Sequence, residues 1–304
     1  MIDRIEARLA GIARAYAPDV RWLALIRIAF GIWVIAFPVD VTWIADVPAA
    51  FFHPRPGLFA FLAAPPSEPF LVALTIAKVA LGIALTLGIA TMPVSVALSV
   101  ALIVGSGVSY SYSKVDHFIL FELTPVFLAC AGWGWKWSMD NVVRLSRDTR
   151  LPGAARGMPV LLFAMTIGWA MLSAAAPKAA GGWLDPDRSA SRGYLVRDIA
   201  YGEKLGPLGP QAMAVHSDVF WKLLDYATLV AEGGLILMVF WPMAFRLWLL
   251  LLASFHVGVF LTLGISFADY ILVYAVFFAP VFTRLVGAAG APAQSAPARV
   301  EVTR

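Results

Sequence analysis

The residue that most invites a chemical reading is Lys178, in the stretch "LSAAAPKAAGGWLDPD" at residues 172–187, where a long apolar run gives out. An end-of-span lysine can simply lift its ammonium into the headgroups. It can also act as a desolvated amine, because loss of hydration disfavours the charged form and makes a neutral base accessible. His117 is the second candidate. It follows Asp116, so a carboxylate stands beside an imidazole, the arrangement that orients a histidine for proton transfer. Asp116 is equally suited to capping the N-terminus of the helix that begins there. Metal chemistry has little support. His53, His117, His216 and His256 are dispersed, no HExxH or cysteine cluster is present, and the single Cys130 lies inside an apolar run. Nor is there a GxSxG elbow, a P-loop or a dinucleotide fingerprint.

Further ionisable residues interrupt apolar runs: Arg27 in "LALIRIAFG", Lys78 in "TIAKVALG", Glu122 in "HFILFELTP", Asp225 and Glu232 in "LLDYATLVAEGG", and His256 in "LLASFHVGVF". Each costs a few kcal/mol in a membrane unless it finds a partner or water. Two cations against three acids allow pairing inside a bundle, so Arg27, Glu122 and Glu232 are expected as structural buried polar groups. His256 suits either a hydrogen-bonded core position or a substrate-binding one. Trp133, Trp135 and Trp137 in "AGWGWKWSMD" read as an aromatic belt at a membrane surface.

The elements that must position these groups are membrane helices. Of 304 residues, 61% are hydrophobic and only 14% charged, against roughly 25% charged in soluble domains. Mean hydropathy is +0.80. The net charge of +4 then reports orientation in a membrane rather than nucleic-acid binding. Apolar runs at about 22–38, 69–92, 94–110, 117–134, 158–178, 220–243, 246–265 and 267–283 predict an all-α bundle of about eight transmembrane helices. Residues 1–21 carry Ile2, Ile5, Leu9 and Ile12 at helical spacing among acids and arginines, which predicts an interfacial amphipathic helix. The bundle occupies 22–283, and the Ala/Pro/Gly-rich 284–304 is expected to be a disordered tail.

Lysines and arginines outside the runs divide unevenly. Arg4, Arg8, Arg14, Arg21, Lys136, Arg144, Arg147, Arg150, Arg156, Arg246, Arg284, Arg299 and Arg304 fall on one side. Arg55, Lys114, Arg188, Arg192, Arg197 and Lys204 fall on the other. Both termini are therefore expected in the cytoplasm, with Asp116, His117 and Lys178 sharing the exterior face.

Five pieces in order, "LIRIAFG", "DHFILFELTPVFLACAGWGWKWSMD", "PKAAGGW", "TLVAEGG" and "SFHVGVFLTLGISFADYILVYAVFF", resemble the HTTM family over roughly residues 20–283. These are bacterial "horizontally transferred transmembrane" proteins related to the membrane part of vitamin K-dependent gamma-glutamyl carboxylase. The resemblance implies a bacterial inner-membrane bundle that binds a reduced, lipid-soluble quinone of the vitamin K hydroquinone type, with oxygen adding after deprotonation to give an epoxide. It makes Lys178 the counterpart of the base and His117 its assisting residue, with Asp116, Trp183 and His256 lining the substrate site. The family pattern has an amide at Asp116 and a second basic residue at Pro177. The carboxylase continues into a large exterior region, so glutamate carboxylation is not expected of this chain unless a separate exterior substrate or partner protein supplies that part. Two rival functions follow from the same residues. One is a non-catalytic protein that binds lipid or quinone or assists assembly; the other is a small-solute transporter using Lys78, Asp225 and Glu232 as a proton path.

Overall fold

The computed structural model describes residues 2–112, 118–146, 155–202 and 205–279; Asp116, His117 and the tail 284–304 lie outside the described residues. The described chain is all-helical, with no strand among those residues. In order it forms α1 (Ile2–Ala15), α2 (Val20–Ala36), α3 (Glu68–Leu87), α4 (Thr91–Ser109), α5 (Ile119–Ala131), α6 (Met139–Ser146), α7 (Gly157–Lys178), α8 (Ala190–Ala200), α9 (Gly209–Met213), α10 (Asp218–Met238), α11 (Pro242–Leu263) and α12 (Asp269–Ala275). A π-helical turn, Ala179–Trp183, continues α7, and short 3-10 turns lie between α2 and α3 and after α12.

Four of the described helices are long and apolar enough to cross a membrane: Glu68–Leu87, Thr91–Ser109, Gly157–Trp183 and Pro242–Leu263. The other apolar runs give helices that fall short by length or by charge. α2 has 17 residues, and α5 has 13, ended by Gly132 at φ +107°. α12 passes into a 3-10 turn after 7 residues, so its helix is much shorter than the apolar run that contains it. α10 has 21 residues but carries Asp218, Lys222, Asp225 and Glu232.

Helix packing follows small residues and aromatic rings. α2 lies against α3 where a Cβ on Gly31 would sit 2.8 Å from the Gly82 carbonyl oxygen, so backbone meets backbone. α7 and α10 approach at Gly168, whose Cβ would come within 2.9 Å of the Ile236 Cα. α5 packs on both α4 and α7, and α12 on α5 and α2. The core between them stacks Phe30 on Phe121 at 4.4 Å, with Trp133 edge-on to Phe30 at 6.0 Å. Trp133 is therefore not part of an aromatic belt, as its place in the sequence suggests. It is completely buried, and its indole N–H donates to the Ser95 hydroxyl at 3.2 Å, because Gly132 turns the chain back under the bundle. Trp137 alone of the three is more than half exposed.

Arg27 and Lys78 also depart from the expectation of side-chain ion pairing. Both are fully buried, and both spend their donors on carbonyls at helix ends. Arg27 Nη1 donates to the Leu85 and Thr86 carbonyls at 2.7 and 3.2 Å, and Nη2 donates to the Trp137 carbonyl. The last carbonyls of a helix have no partner of their own, and a cation there also meets the negative end of the helix dipole. Asp140 completes the clamp from the opposite polarity. Its carboxylate accepts from the Ala90 and Thr91 backbone N–H groups at 2.8 and 2.7 Å and from the Thr91 hydroxyl at 2.6 Å, capping α4. The clamp holds two non-glycine residues in the left-handed region, Ala90 at φ +44° and Trp137 at φ +49°, which otherwise cost of order 1 kcal/mol or more each. Lys78 donates to the Val39 carbonyl just beyond α2.

Arg27→Met keeps the apolar stem and removes the donors to the Thr86 and Trp137 carbonyls, while Leu85 keeps the Gly88 N–H at 3.0 Å. It should lower stability by about 2–4 kcal/mol, read as a lower melting temperature of the purified protein in detergent.

Candidate functional site

Lys178 is the last residue of α7, and the turn that follows is π-helical with Gly182 at φ +94°. A residue with a Cβ is strained at that φ, so glycine is what lets the chain fold over the lysine. The turn sets Trp183, itself buried, with its ring 5.4 Å from the Lys178 ammonium, within cation–π range. From the other side α10 presents Glu232. Both of its carboxylate oxygens accept from Lys178 Nζ, Oε2 at 2.6 Å. The Lys178 side chain is 26% exposed and that of Glu232 7%. Lys178 is thus a partly buried amine held between a carboxylate and an indole, and Glu232 belongs to the same constellation as the lysine.

α11 and α12 meet in an aromatic cluster. His256 of α11 is stacked on Phe267 at 4.1 Å and lies near Tyr270 and Tyr274 of α12, at 5.4 and 6.0 Å between ring centroids. Lys178, Glu232 and Trp183 thus form one group, and His256, Phe267, Tyr270 and Tyr274 another. Glu122 is buried on α5.

A cap outside the pair fixes Trp183. Asp225, one face-repeat before Glu232 on α10, accepts from the backbone N–H of Ala190 and Ser191 at 2.9 and 2.8 Å and from the Ser191 hydroxyl at 2.6 Å, so it caps the start of α8. Lys222 bridges Asp225, at 3.0 Å, and the Trp183 carbonyl, at 3.2 Å. The far end of the segment is tied down where the Gly206 and Leu208 N–H groups donate to the Thr262 and Leu261 carbonyls. Sequence reasoning singled out Asp225 for its charge but missed this capping role. The available signal was "DRSAS" at 187–191, a serine-rich stretch of the kind that starts helices.

Lys78, Asp225 and Glu232 have three separate partners: the Val39 carbonyl, the start of α8, and Lys178. The surface cleft formed by Asp46, Val47, Pro48, Pro65, Pro66 and Glu68 belongs to the α2–α3 connection and contains none of the residues singled out from the sequence. Among the described residues no three His, Cys, Asp or Glu side chains gather as a metal ion would require.

Chemically, an amine and a carboxylate in contact at an apolar boundary can take up one proton between them and remain in contact as ammonium and carboxylic acid. Low local polarity brings the neutral amine–acid form closer in energy to the ion pair. The indole of Trp183 adds flat apolar surface. This donor set fits a weakly acidic hydroxyl carried on a planar apolar body. The chain matches no protein-family model, no curated protein and no solved structure.

Lys178→Met strands a buried carboxylate, which should cost about 3–5 kcal/mol, whereas Lys178→Met with Glu232→Gln should regain most of that loss. Thermal melts of the two variants beside wild type read the difference directly.

Proposed function

We propose that this chain is a bacterial inner-membrane protein of the HTTM type that crosses the membrane eight times with both termini in the cytoplasm, and that it acts on a reduced, lipid-soluble quinone. The basic residues concentrated on one side of the apolar runs support the orientation. The exposed Ile5 and Leu9 on α1 suit a helix lying at the interface. For the chemistry, the observation that carries the reading is the Lys178 amine, gripped by Glu232 and faced by Trp183 at the apolar end of α7.

In this reading the substrate supplies an acidic phenolic hydroxyl and an electron-rich ring able to react with oxygen. The residues of the chain handle the proton. In the ion pair Lys178 is protonated. Transfer of that proton to Glu232 yields a neutral amine beside a carboxylic acid. The amine then accepts the hydroxyl proton, leaving an ammonium to stabilise the developing phenolate. The pair has gained one proton in total, and both groups keep a hydrogen-bond partner throughout. Trp183 offers its ring face to the substrate and excludes water from the amine. His256 is assigned to the substrate-binding site on the strength of the family resemblance. His117, with Asp116 beside it in sequence, is assigned the assisting role on the strength of the family resemblance. Epoxidation is the expected outcome and glutamate carboxylation is not proposed.

Lys178→Arg is the discriminating variant. It keeps the positive charge and the pair with Glu232, but a guanidinium cannot supply a neutral amine. Purified Lys178→Arg protein should melt close to wild type and lose oxygen-dependent oxidation of a reduced naphthoquinone by about 10²–10⁴-fold, the usual range for a general base. Turnover equal to wild type in this variant and in Lys178→Met/Glu232→Gln would remove Lys178 from the reaction. Binding without turnover in wild type would favour the lipid- or quinone-binding protein.

A further inference from the structure

Between α2 and α3 the chain leaves helical form before it reaches the end of the helices beside it. α2 ends at Ala36, and residues 37–41 form neither helix nor strand ahead of the 3-10 turn Thr42–Asp46. The partners of this stretch on α3 run steadily toward the start of that helix. Gly31 meets Gly82, the Val39 carbonyl accepts from Lys78, and Val41 and Ile44 pack in one cluster with Leu71 and Leu74. A Cβ on Gly105 of α4 would stand 3.4 Å from Lys78 Nζ, 3.5 Å from Val41 and 3.9 Å from Leu74, so the irregular stretch, the ammonium and α4 meet at one level. Leu74 is six residues inside the start of α3 and Gly105 four residues inside the end of α4. At ordinary helical rise that level is about 6–9 Å inside the ends of two helices long and apolar enough to cross a membrane.

Irregular backbone at membrane depth is tolerated only where protein covers it or water reaches it. Protein covers one side, where Val41 and Ile44 are buried. The other side is open. Asp40, between Val39 and Val41, is exposed, and its carboxylate accepts from the Thr42 N–H and hydroxyl at 2.9 and 2.8 Å. Lys78 is fully buried with three N–H donors, and among the described residues its hydrogen-bond acceptor is the Val39 carbonyl. Thr75, one turn earlier on α3, has an enclosed hydroxyl with no partner among the described residues. A carboxylate facing hydrocarbon and an ammonium with idle donors are both costly in lipid, and water relieves both. At the start of α3 the same connection forms the cleft of about 440 Å³ lined by Asp46, Pro48, Pro65 and Glu68.

We propose that the α2–α3 connection lines a water-filled inlet that runs from the cleft at Asp46 and Glu68 past Asp40 to Lys78. Its occupant is water rather than lipid, because the open side offers a carboxylate and non-helical backbone while Val41 and Ile44 turn inward. The inlet hydrates Lys78 and lets its ammonium exchange protons with the aqueous phase. Neither the quinone nor the Lys178–Glu232 pair enters this assignment, which needs only that α3 and α4 cross the membrane.

The test is the rate at which single cysteines, placed in the full-length protein carrying Cys130→Ser, react with a membrane-impermeant trimethylammonium methanethiosulfonate in phosphatidylcholine nanodiscs, followed by mass spectrometry. Val72 and Ile76 are exposed on α3 at about 6 and 12 Å from its start and bracket the depth of Asp40. Asp40→Cys should react at least roughly tenfold faster than Val72→Cys and Ile76→Cys, because a thiol in lipid meets neither the reagent nor the water that ionises it. Asp40 also caps the 3-10 turn, so Ala45→Cys, exposed in the cleft, provides a second reading and should be equally fast. If Asp40→Cys does not fold, the rate of Ala45→Cys against Val72→Cys decides. Reaction of Asp40→Cys no faster than Val72→Cys would overturn the proposal and would mean that lipid or a second copy of the chain covers the connection. Reaction of Ile76→Cys at the Asp40→Cys rate would overturn it as well, because α3 would then not lie in lipid.

Discussion

A charge inside an apolar helical bundle must find a partner, and in this protein several find it at or near a helix end. Arg27 collects the terminal carbonyls of α3, Lys78 the carbonyl of Val39, and Asp140 and Asp225 the leading N–H groups of α4 and α8. Helix termini are where unpaired backbone groups concentrate, and lipid offers them nothing. The buried charges thereby fix where helices stop and how the following segments turn. The Arg27–Asp140 clamp illustrates the strength of this arrangement, since it maintains left-handed backbone at Ala90 and Trp137, neither of which is glycine. These groups are bound to the backbone.

Against that background Lys178 and Glu232 are different. Theirs is the ion pair, among the described residues, that joins side chains of α7 and α10, and neither group caps a helix end through it. A pair of this kind contributes little net stability, because desolvation offsets most of the attraction, while loss of one partner is severe. Its members can exchange a proton with each other or with a third group without uncovering backbone. That difference, with backbone-bound charges at the helix ends and a side-chain pair bound to no backbone group, sets the α7–α10 contact apart from the other buried charges.

The sequence carried much of this and concealed the rest. Apolar runs located every long helix, because residue hydropathy alone decides what can lie in a bundle. Their lengths were less legible. α12 shortens into a 3-10 turn, and the run 117–134 yields a helix of 13 residues ended by Gly132, since helix ends depend on turn geometry that hydropathy does not encode. Lys178, Trp183, Glu232 and His256 were each conspicuous as residues. What no spacing rule could reveal is that Glu232 meets Lys178 across 54 positions, or that Trp133 is core while Trp137 faces outward. Arg27 and Lys78 were expected to pair with acids because formal charge can be counted in a sequence, and free helix-end carbonyls cannot.

The depth of the pair also follows from the exterior cap. Glu232 lies fourteen residues into α10, about 21 Å along its axis at ordinary helical rise. α10 therefore runs well past the level of Lys178, and α8 packs on that overhanging part through Asp225. Lys178 is consequently not at a bare membrane surface, where a snorkelling lysine would need no partner. It lies beneath Trp183 and the Lys222–Asp225 bridge, in a position that loses water yet keeps part of its side chain open. The same cap accounts for the π-helical turn: α7 must change direction at Gly182 to pass under it, and the extra residue in that turn brings Trp183 over the amine.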